Sequence, residues 1–499
     1  MLFPSEDARE RARLIAGLAT ANPFLEERVA LERRLLGADF VQGAGLWRYR
    51  SALGGAPSEN AFRVDDVVWS TTQTLRARYD PARPPSDEDR ALYLDVARYA
   101  LYSRNEVALT ELTMASEHAT SRLRAGGYDN FERDAVALLV QTNLVTPDEL
   151  PHLYSTLFQI RRAFHHVFTH VIGSSRPTAR LRSDIWRSIF THDLRRHHRS
   201  MYARMSDTPT LVLGPSGTGK ELVARAIALS GYLAFDPKTK SFPGPIDGRF
   251  VPINVAALAP TLLESELFGH ARGAFTGAAA DRAGFLDVVP ETGAIFLDEI
   301  GDLDPSLQVK LLRLLQTRSY SRVGDATPRP FSGKILAATH RDLEARMLDE
   351  RFREDLYYRL CADVLETPPL VDRLRDDIDE LEDLVLFLAI RIAGADEGPA
   401  VADEVFGFIT ANIPPDYTWP GNVRELEQCV RNVLIRRQYQ PRRTTAPGFG
   451  AEVLEGRMSL DEVTRAYVNL VYERTGSFKE AGAILGIDRR TVARWVQSA

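Results

Sequence analysis

The segment Thr210–Leu213 (TLVL) runs directly into Gly214-Pro215-Ser216-Gly217-Thr218-Gly219-Lys220 and then into the helical ELVARAIAL. This order of apolar strand, Gly-rich turn and helix restricts the fold more than any other part of the chain. Glycines there let backbone N–H groups curl around phosphate oxygens, and the helix start adds a partial positive charge. Lys220 can then reach the outer phosphates of a nucleotide. Glu221 departs from the generic motif, because it stands where a Ser or Thr usually ligates magnesium.

Around this loop the sequence predicts a parallel α/β sheet. Phe250–Asn254, Ala294–Asp298 and Lys334–Thr339 read as further strands alternating with helical segments. Ala294–Asp298 runs into a pair of carboxylates, Asp298 and Glu299, at the sheet end where α/β proteins bind ligands. Asp298 can hold magnesium, and Glu299 can orient or deprotonate an attacking water. A Leu-, Ile- and Val-rich stretch at Asp376–Ile392, and another helix after Pro420-Gly421, predict a small helical lid. The stretch Gln438–Arg457, with PRRTTAPGFG, reads as a linker.

Residues 1–169 read as mostly helical, with apolar residues at helical spacing in Leu92–Tyr102 and Ala135–Leu144. They hold no Gly-rich loop, metal-like cluster or acidic pair of the phospho-acceptor kind. His165, His166 and His170 in FHHVFTHVIG are assigned to an ordinary helix and given no role. At 499 residues the chain is expected to form about three domains. It has no apolar run near the ~18 residues of a membrane span and no signal-peptide pattern, so a cytoplasmic protein with no membrane contact is expected. Cys361 and Cys429 lack metal-ligand spacing, and a net charge of −6 means that any nucleic-acid contact comes from a local basic patch.

Between the two nucleotide motifs lies ESELFGHARGAFTGA, where Gly269, Gly273 and Gly277 break helical periodicity around Phe275. An apolar side chain in such a loop is better placed to meet a partner than a core. GAFTGA, with GPSGTGKE and LDEIGDL, resembles the sigma-54-dependent activators, or bacterial enhancer-binding proteins, of the AAA+ superfamily. The resemblance extends from about Gly173 to Arg437. It implies an ATPase using ATP and Mg2+, with Gly273, Ala274, Phe275, Thr276, Gly277 and Ala278 as the sigma-54 contact. Asn254 matches the asparagine that restrains the catalytic glutamate. Arg353 and Arg359 match arginine fingers that reach a neighbouring subunit, which implies a ring, typically a hexamer, and Arg424 matches the nucleotide-sensing lid arginine. His340 stands where the family usually has asparagine beside the γ-phosphate, so altered rather than abolished hydrolysis is expected.

The tail repeats apolar residues at Leu460, Val463, Tyr467, Leu470 and Val471, then places a short helix Phe478–Leu485 before Gly486. Asp488 can cap a third, basic helix, RRTVARWVQ, whose Val492 and Trp495 or Val496 face the module's core. This resembles a Fis-type helix-turn-helix, which implies binding to double-stranded DNA upstream of a promoter. Arg489, Arg490, Thr491 and Arg494 are the expected contacts, undivided between bases and phosphates.

The reading is a multidomain α/β chain: helical regulatory region 1–169, AAA+ α/β subdomain 170–373, helical lid 374–437, linker 438–457 and helix-turn-helix 458–499. Its partner is sigma-54 RNA polymerase holoenzyme, remodelled for open-complex formation. The competing readings are a DNA-binding regulator with a weakened ATP site, and an ATPase acting on another target. Two stretches, Phe190–Arg204 and Phe235–Gly248, are longer than the family core needs and have no readable purpose.

Overall fold

Short strands buried on both faces build the centre of the computed structural model, which describes residues 2–42, 59–244, 246, 248–441 and 458–497. The strands are β1 (Thr210–Leu213), β2 (Phe250–Asn254), β3 (Ala294–Asp298), β4 (Lys334–Thr339) and β5 (Val364–Glu366). All pairings are parallel, in the order β2-β3-β4-β1-β5. Leu211, Ile295, Leu297, Ile335 and Ala337 face one hydrophobic core. Val212, Phe296, Leu336, Ala338 and Leu365 face the other. A sheet buried on both faces must be covered by helices on both, which accounts for its near-continuous apolar strands.

The helices that position the site are α1 (Leu150–His170), α2 (Arg176–Phe190), α3 (Lys220–Leu229), α4 (Glu380–Asn412) and α5 (Asn422–Arg436). Helix α4 is broken at Gly394, whose φ of 86° takes it out of helical geometry. Residues Met1–Arg437 form one compact unit and Gln438–Ala499 a second. The linker expected over 438–457 lies outside the described residues from position 442 onward. Among the described residues no helix is long and apolar enough to cross a membrane, and both cysteines are free.

Before the sheet, the chain is helical as its periodicity predicts, including Glu59–Arg78 and Asp87–Arg104. The two stretches without readable purpose anchor these helices. Ser241–Phe242 pairs antiparallel with Leu123–Arg124, and Phe235 and Phe242 enter a cluster with Tyr128, Phe131, Tyr154 and Phe158. Ring centroids there lie 4.4 Å apart for Tyr128–Phe235 and 4.5 Å for Phe158–Phe242. In the other stretch, His152 lies 2.7 Å from the carbonyl oxygen of His198 and 2.7 Å from the Tyr232 hydroxyl.

Helix α1 also seizes the end of α3. The fully buried Arg162 donates to the carbonyls of Leu229 and Gly231, and Gln159 donates to Ser230 O at 3.1 Å. Three carbonyls left unpaired at a helix C-terminus are thereby satisfied, with a cation at the negative end of the dipole.

The lid is tied to α2 by one buried carboxylate. Glu380 accepts hydrogen bonds from the backbone of Ser174 (3.0 Å) and Ser175 (2.6 Å) and from the Thr178 hydroxyl (3.0 Å), and pairs with Arg373. Burial would raise its pKa, but the Arg373 charge and the Ser175 hydrogen bonds outweigh that and hold it below the ordinary value. A depressed carboxylate stabilises the fold above its unfolded pKa of about 4.3, and this contribution is lost as pH falls through the lower folded value. Glu380→Gln leaves the Arg373 charge buried without its counter-ion, at an expected cost of roughly 3–5 kcal/mol near neutral pH. Urea midpoints measured across pH check this: the gap between wild type and variant should narrow in acid, and equal midpoints at pH 7 contradict it.

Candidate functional site

The turn after β1 needs glycine for two separate reasons. Gly214 has φ 141°, and a Cβ there would sit 2.1 Å from Thr367 Oγ1; Gly217 has φ 81°, and its Cβ would sit 2.3 Å from the carbonyl oxygen of Gly421. The loop is therefore pressed between the end of β5 and the start of α5, with no room for a side chain at either point. Lys220 folds back to donate to the carbonyls of Gly214 (2.8 Å) and Pro215 (3.1 Å). Burial lowers its pKa, opposed by the nearby charges of Glu299 and Asp298. Glu221 points instead toward Arg225, at 3.7 Å.

From the lid, Asn422 donates to Ser216 O at 3.0 Å while its carbonyl accepts from Leu370 N at 2.8 Å. Arg424 donates to Ser216 Oγ at 2.8 Å. Asn422 was not singled out in the sequence. The sequence signal is an asparagine right after the Pro420-Gly421 turn, and its φ of 54° is a backbone shape that asparagine tolerates.

Strand β3 delivers Asp298 opposite Asn254 of β2. Burial, with the adjacent Glu299 charge, raises the pKa of Asp298. Glu299 has φ 57°, an uncommon left-handed backbone for a non-glycine residue. Its Oε2 lies 2.7 Å from His340 Nδ1, at the end of β4. The side chain of Asn254 accepts from Ala256 N at 2.9 Å. In this conformation the partner of Glu299 is thus His340, and Asn254 closes its own turn.

The GAFTGA segment is a small closed loop. Gly273 N donates to Ala278 O at 2.9 Å and Ala278 N to Phe275 O at 3.0 Å, with Gly273 and Gly277 at φ 79° and 103°. Phe275 is 47% exposed at the tip, its ring 4.9 Å from that of His270. Thr276 is exposed beside it. At the base, Asp287 accepts from Gly284 N (2.9 Å), the Tyr320 hydroxyl (2.8 Å) and Arg322 (3.1 Å). Burial would raise its pKa, but these bonds and the Arg322 charge keep it below the ordinary carboxylate value.

A family model described as the sigma-54 interaction domain matches residues 190–366. The transcriptional regulatory protein ZraR of Escherichia coli O157:H7 is 36% identical over 359 residues, covering 70% of this chain and 75% of that protein. The chain belongs to the sigma-54-dependent transcriptional activators. The Nif-specific regulatory protein of Azotobacter vinelandii is 43% identical over 230 residues, 46% of this activator and 40% of that regulator. Among solved structures, NtrX from Brucella abortus matches 73% of this chain and 79% of its own, at 24% identity and a TM-score of 0.40.

Elsewhere in the activator, Arg353 and Arg359 are exposed, and Arg353 pairs with Asp355 at 2.7 Å. Among the described residues, neither makes a hydrogen bond or ion pair with the Gly-rich loop, Asp298 or Glu299 of its own chain. The tail forms α6 (Leu460–Thr475), α7 (Phe478–Leu485) and α8 (Arg489–Gln497). They close around Val468, Val471, Ala481 and Val492, with both Trp495 and Val496 packed on that core. Gly486 supplies the left-handed turn at φ 67°, and Asp488 accepts from Arg490 N at 2.8 Å. Arg489, Arg490 and Arg494 are exposed and Thr491 is half-buried.

Asp287→Asn removes the charge that gathers Arg322 and Arg329 under the loop. Hydrogen exchange at Gly273 and Ala278 is expected to quicken about tenfold or more, as local opening becomes easier. Unchanged protection would show that Asp287 does not hold the loop.

Proposed function

We propose that this activator hydrolyses ATP at the carboxyl end of the sheet and uses the cycle to drive Phe275 and Thr276 against sigma-54 polymerase. The observation that carries the reading is that Lys220 starts the helix after the Gly-rich turn while Asp298 and Glu299, at the end of β3, are near enough for both charges to act on its ammonium. The Gly-rich turn fits phosphates because it leads into the N-terminus of α3, whose backbone N–H groups and partial positive charge favour an anion, with Lys220 as the first helical residue. Asp298 is the residue that would hold Mg2+. Bound there, the ion supplies positive charge to the phosphate oxygens.

The chain's own residues then have separate tasks. Lys220 leaves the Gly214 and Pro215 carbonyls to pair with phosphate. Glu299, released from His340, accepts a proton from the attacking water. Arg424 and Asn422, already on Ser216, transmit the state of the loop to the lid. Arg353 and Arg359 lie exposed for a neighbouring subunit's site, which supports a ring, here taken as a hexamer. The exposed arginines of α8 support binding of upstream double-stranded DNA, and the whole assembly is assigned to the cytoplasm.

Glu299→Gln is expected to lower steady-state ATP turnover by about 10²–10⁴-fold, whereas His340→Asn should change it by less than about tenfold. Full turnover in the Glu299 variant would sink the assignment. Mixing tests the ring separately: Lys220→Ala chains keep their arginines, and Arg353→Ala/Arg359→Ala chains keep their nucleotide loop. Equimolar mixing of these two inactive proteins should restore part of the turnover, and a mixture as inactive as its components rules out sites shared between subunits.

A further inference from the structure

Helix α1 carries His165 and His166, and the fold brings Glu117 to them from 48 residues upstream of His165. One nitrogen or oxygen from each of these three residues lies within 4.8 Å of the others, the only such grouping among the described residues. His165 Nε2 is 2.8 Å from Glu117 Oε1. His166 is 3% exposed, and its Nδ1 makes no hydrogen bond. The His166 ring, buried and with one nitrogen unpaired, therefore stands in a group with a carboxylate and a second imidazole, and a cation is what would bridge the three.

We propose that Glu117, His165 and His166 form a binding site for a first-row divalent transition ion of the zinc or cobalt class. Two imidazoles and one carboxylate are the donor set that such borderline ions accept, with a further position left open. Bonds of about 2.0–2.2 Å put tetrahedral ligands about 3.3–3.6 Å apart, so the His165–Glu117 pair, now 2.8 Å apart, must open slightly while any wider separation within the group closes. His165 and Glu117 have the freedom to do this, with side chains 16% and 35% exposed.

The site's surroundings give it a consequence. His165 and Glu117 line a cleft of about 410 Å³, whose other walls include Arg225 of α3 and Arg391 of α4. Those two arginines already lie near carboxylates, Arg225 at 3.7 Å from Glu221 and Arg391 at 2.7 Å from Glu427. An ion that ties Glu117 to α1 stiffens the helix whose Arg162 caps α3.

The site is tested in nucleotide-free full-length protein by titration with Co2+, read by visible absorption, and with Zn2+ as competitor. One equivalent should bind with a nitrogen-ligand spectrum, and Glu117→Ala and His165→Ala should each weaken it by about tenfold or more. His192→Ala, an exposed histidine elsewhere, should leave it unchanged. Because His165 and Glu117 are partly exposed, thermal melts matching wild type will show that both variants fold. Absence of saturable Co2+ binding, or equal affinity in the folded Glu117 and His165 variants, overturns the proposal. Neither readout depends on ATP turnover, so its failure is separable from failure of the ATPase reading.

Discussion

Helix α3 is held at both ends, and the arrangement of the site depends on that restraint. At its start, Lys220 lies across the carbonyls of the glycine loop. At its finish, Arg162 and Gln159 of α1 occupy the last carbonyls. A helix so fixed cannot tilt without moving α1, and α1 packs in the same core as the sheet, with Ala163 and Val167 beside Val223 and Ile227. The helices ahead of the sheet are therefore joined to the nucleotide loop by direct packing, with Phe235 and Phe242 as a second tie. Interfaces of this density shift between discrete arrangements instead of deforming smoothly.

The conformation of Glu299 gives the site a defined resting state. A left-handed backbone and a 2.7 Å contact to His340 turn its carboxylate toward the end of β4. Strain of this kind persists only where the surroundings enforce it, and it is concentrated at switch residues. An asparagine at position 340 would reach the same carboxylate only through an amide, so the imidazole sets how Glu299 is held.

Much of this architecture was legible in the sequence because apolar strands buried on both faces leave a continuous signal. Four strands, Thr210–Leu213, Phe250–Asn254, Ala294–Asp298 and Lys334–Thr339, have the bounds that their composition suggests. The fifth, Val364–Glu366, has three residues of which two are exposed, too short for any period to register. Helices α7 and α8 were legible from a glycine stop and an aspartate cap. The glycine loop and the two carboxylates were also plain, since each motif is local. What could not be read required distant segments to meet: Phe235–Gly248 against the aromatic cluster, Asn422 against Ser216, and Glu117 against His165. His165 and His166 looked like ordinary helix residues because their partner lies on a different element.

In the proposed cycle, nucleotide turnover is converted to work on polymerase by one exposed loop. This conversion is tested most directly by ATP-dependent open-complex formation with sigma-54 polymerase on this activator's own promoter, comparing wild type with Thr276→Ala. Open complexes are expected with wild type and ATP, and none with the variant even though its ATP turnover persists. Open complexes formed equally well by the variant, or none formed by wild type, would contradict it.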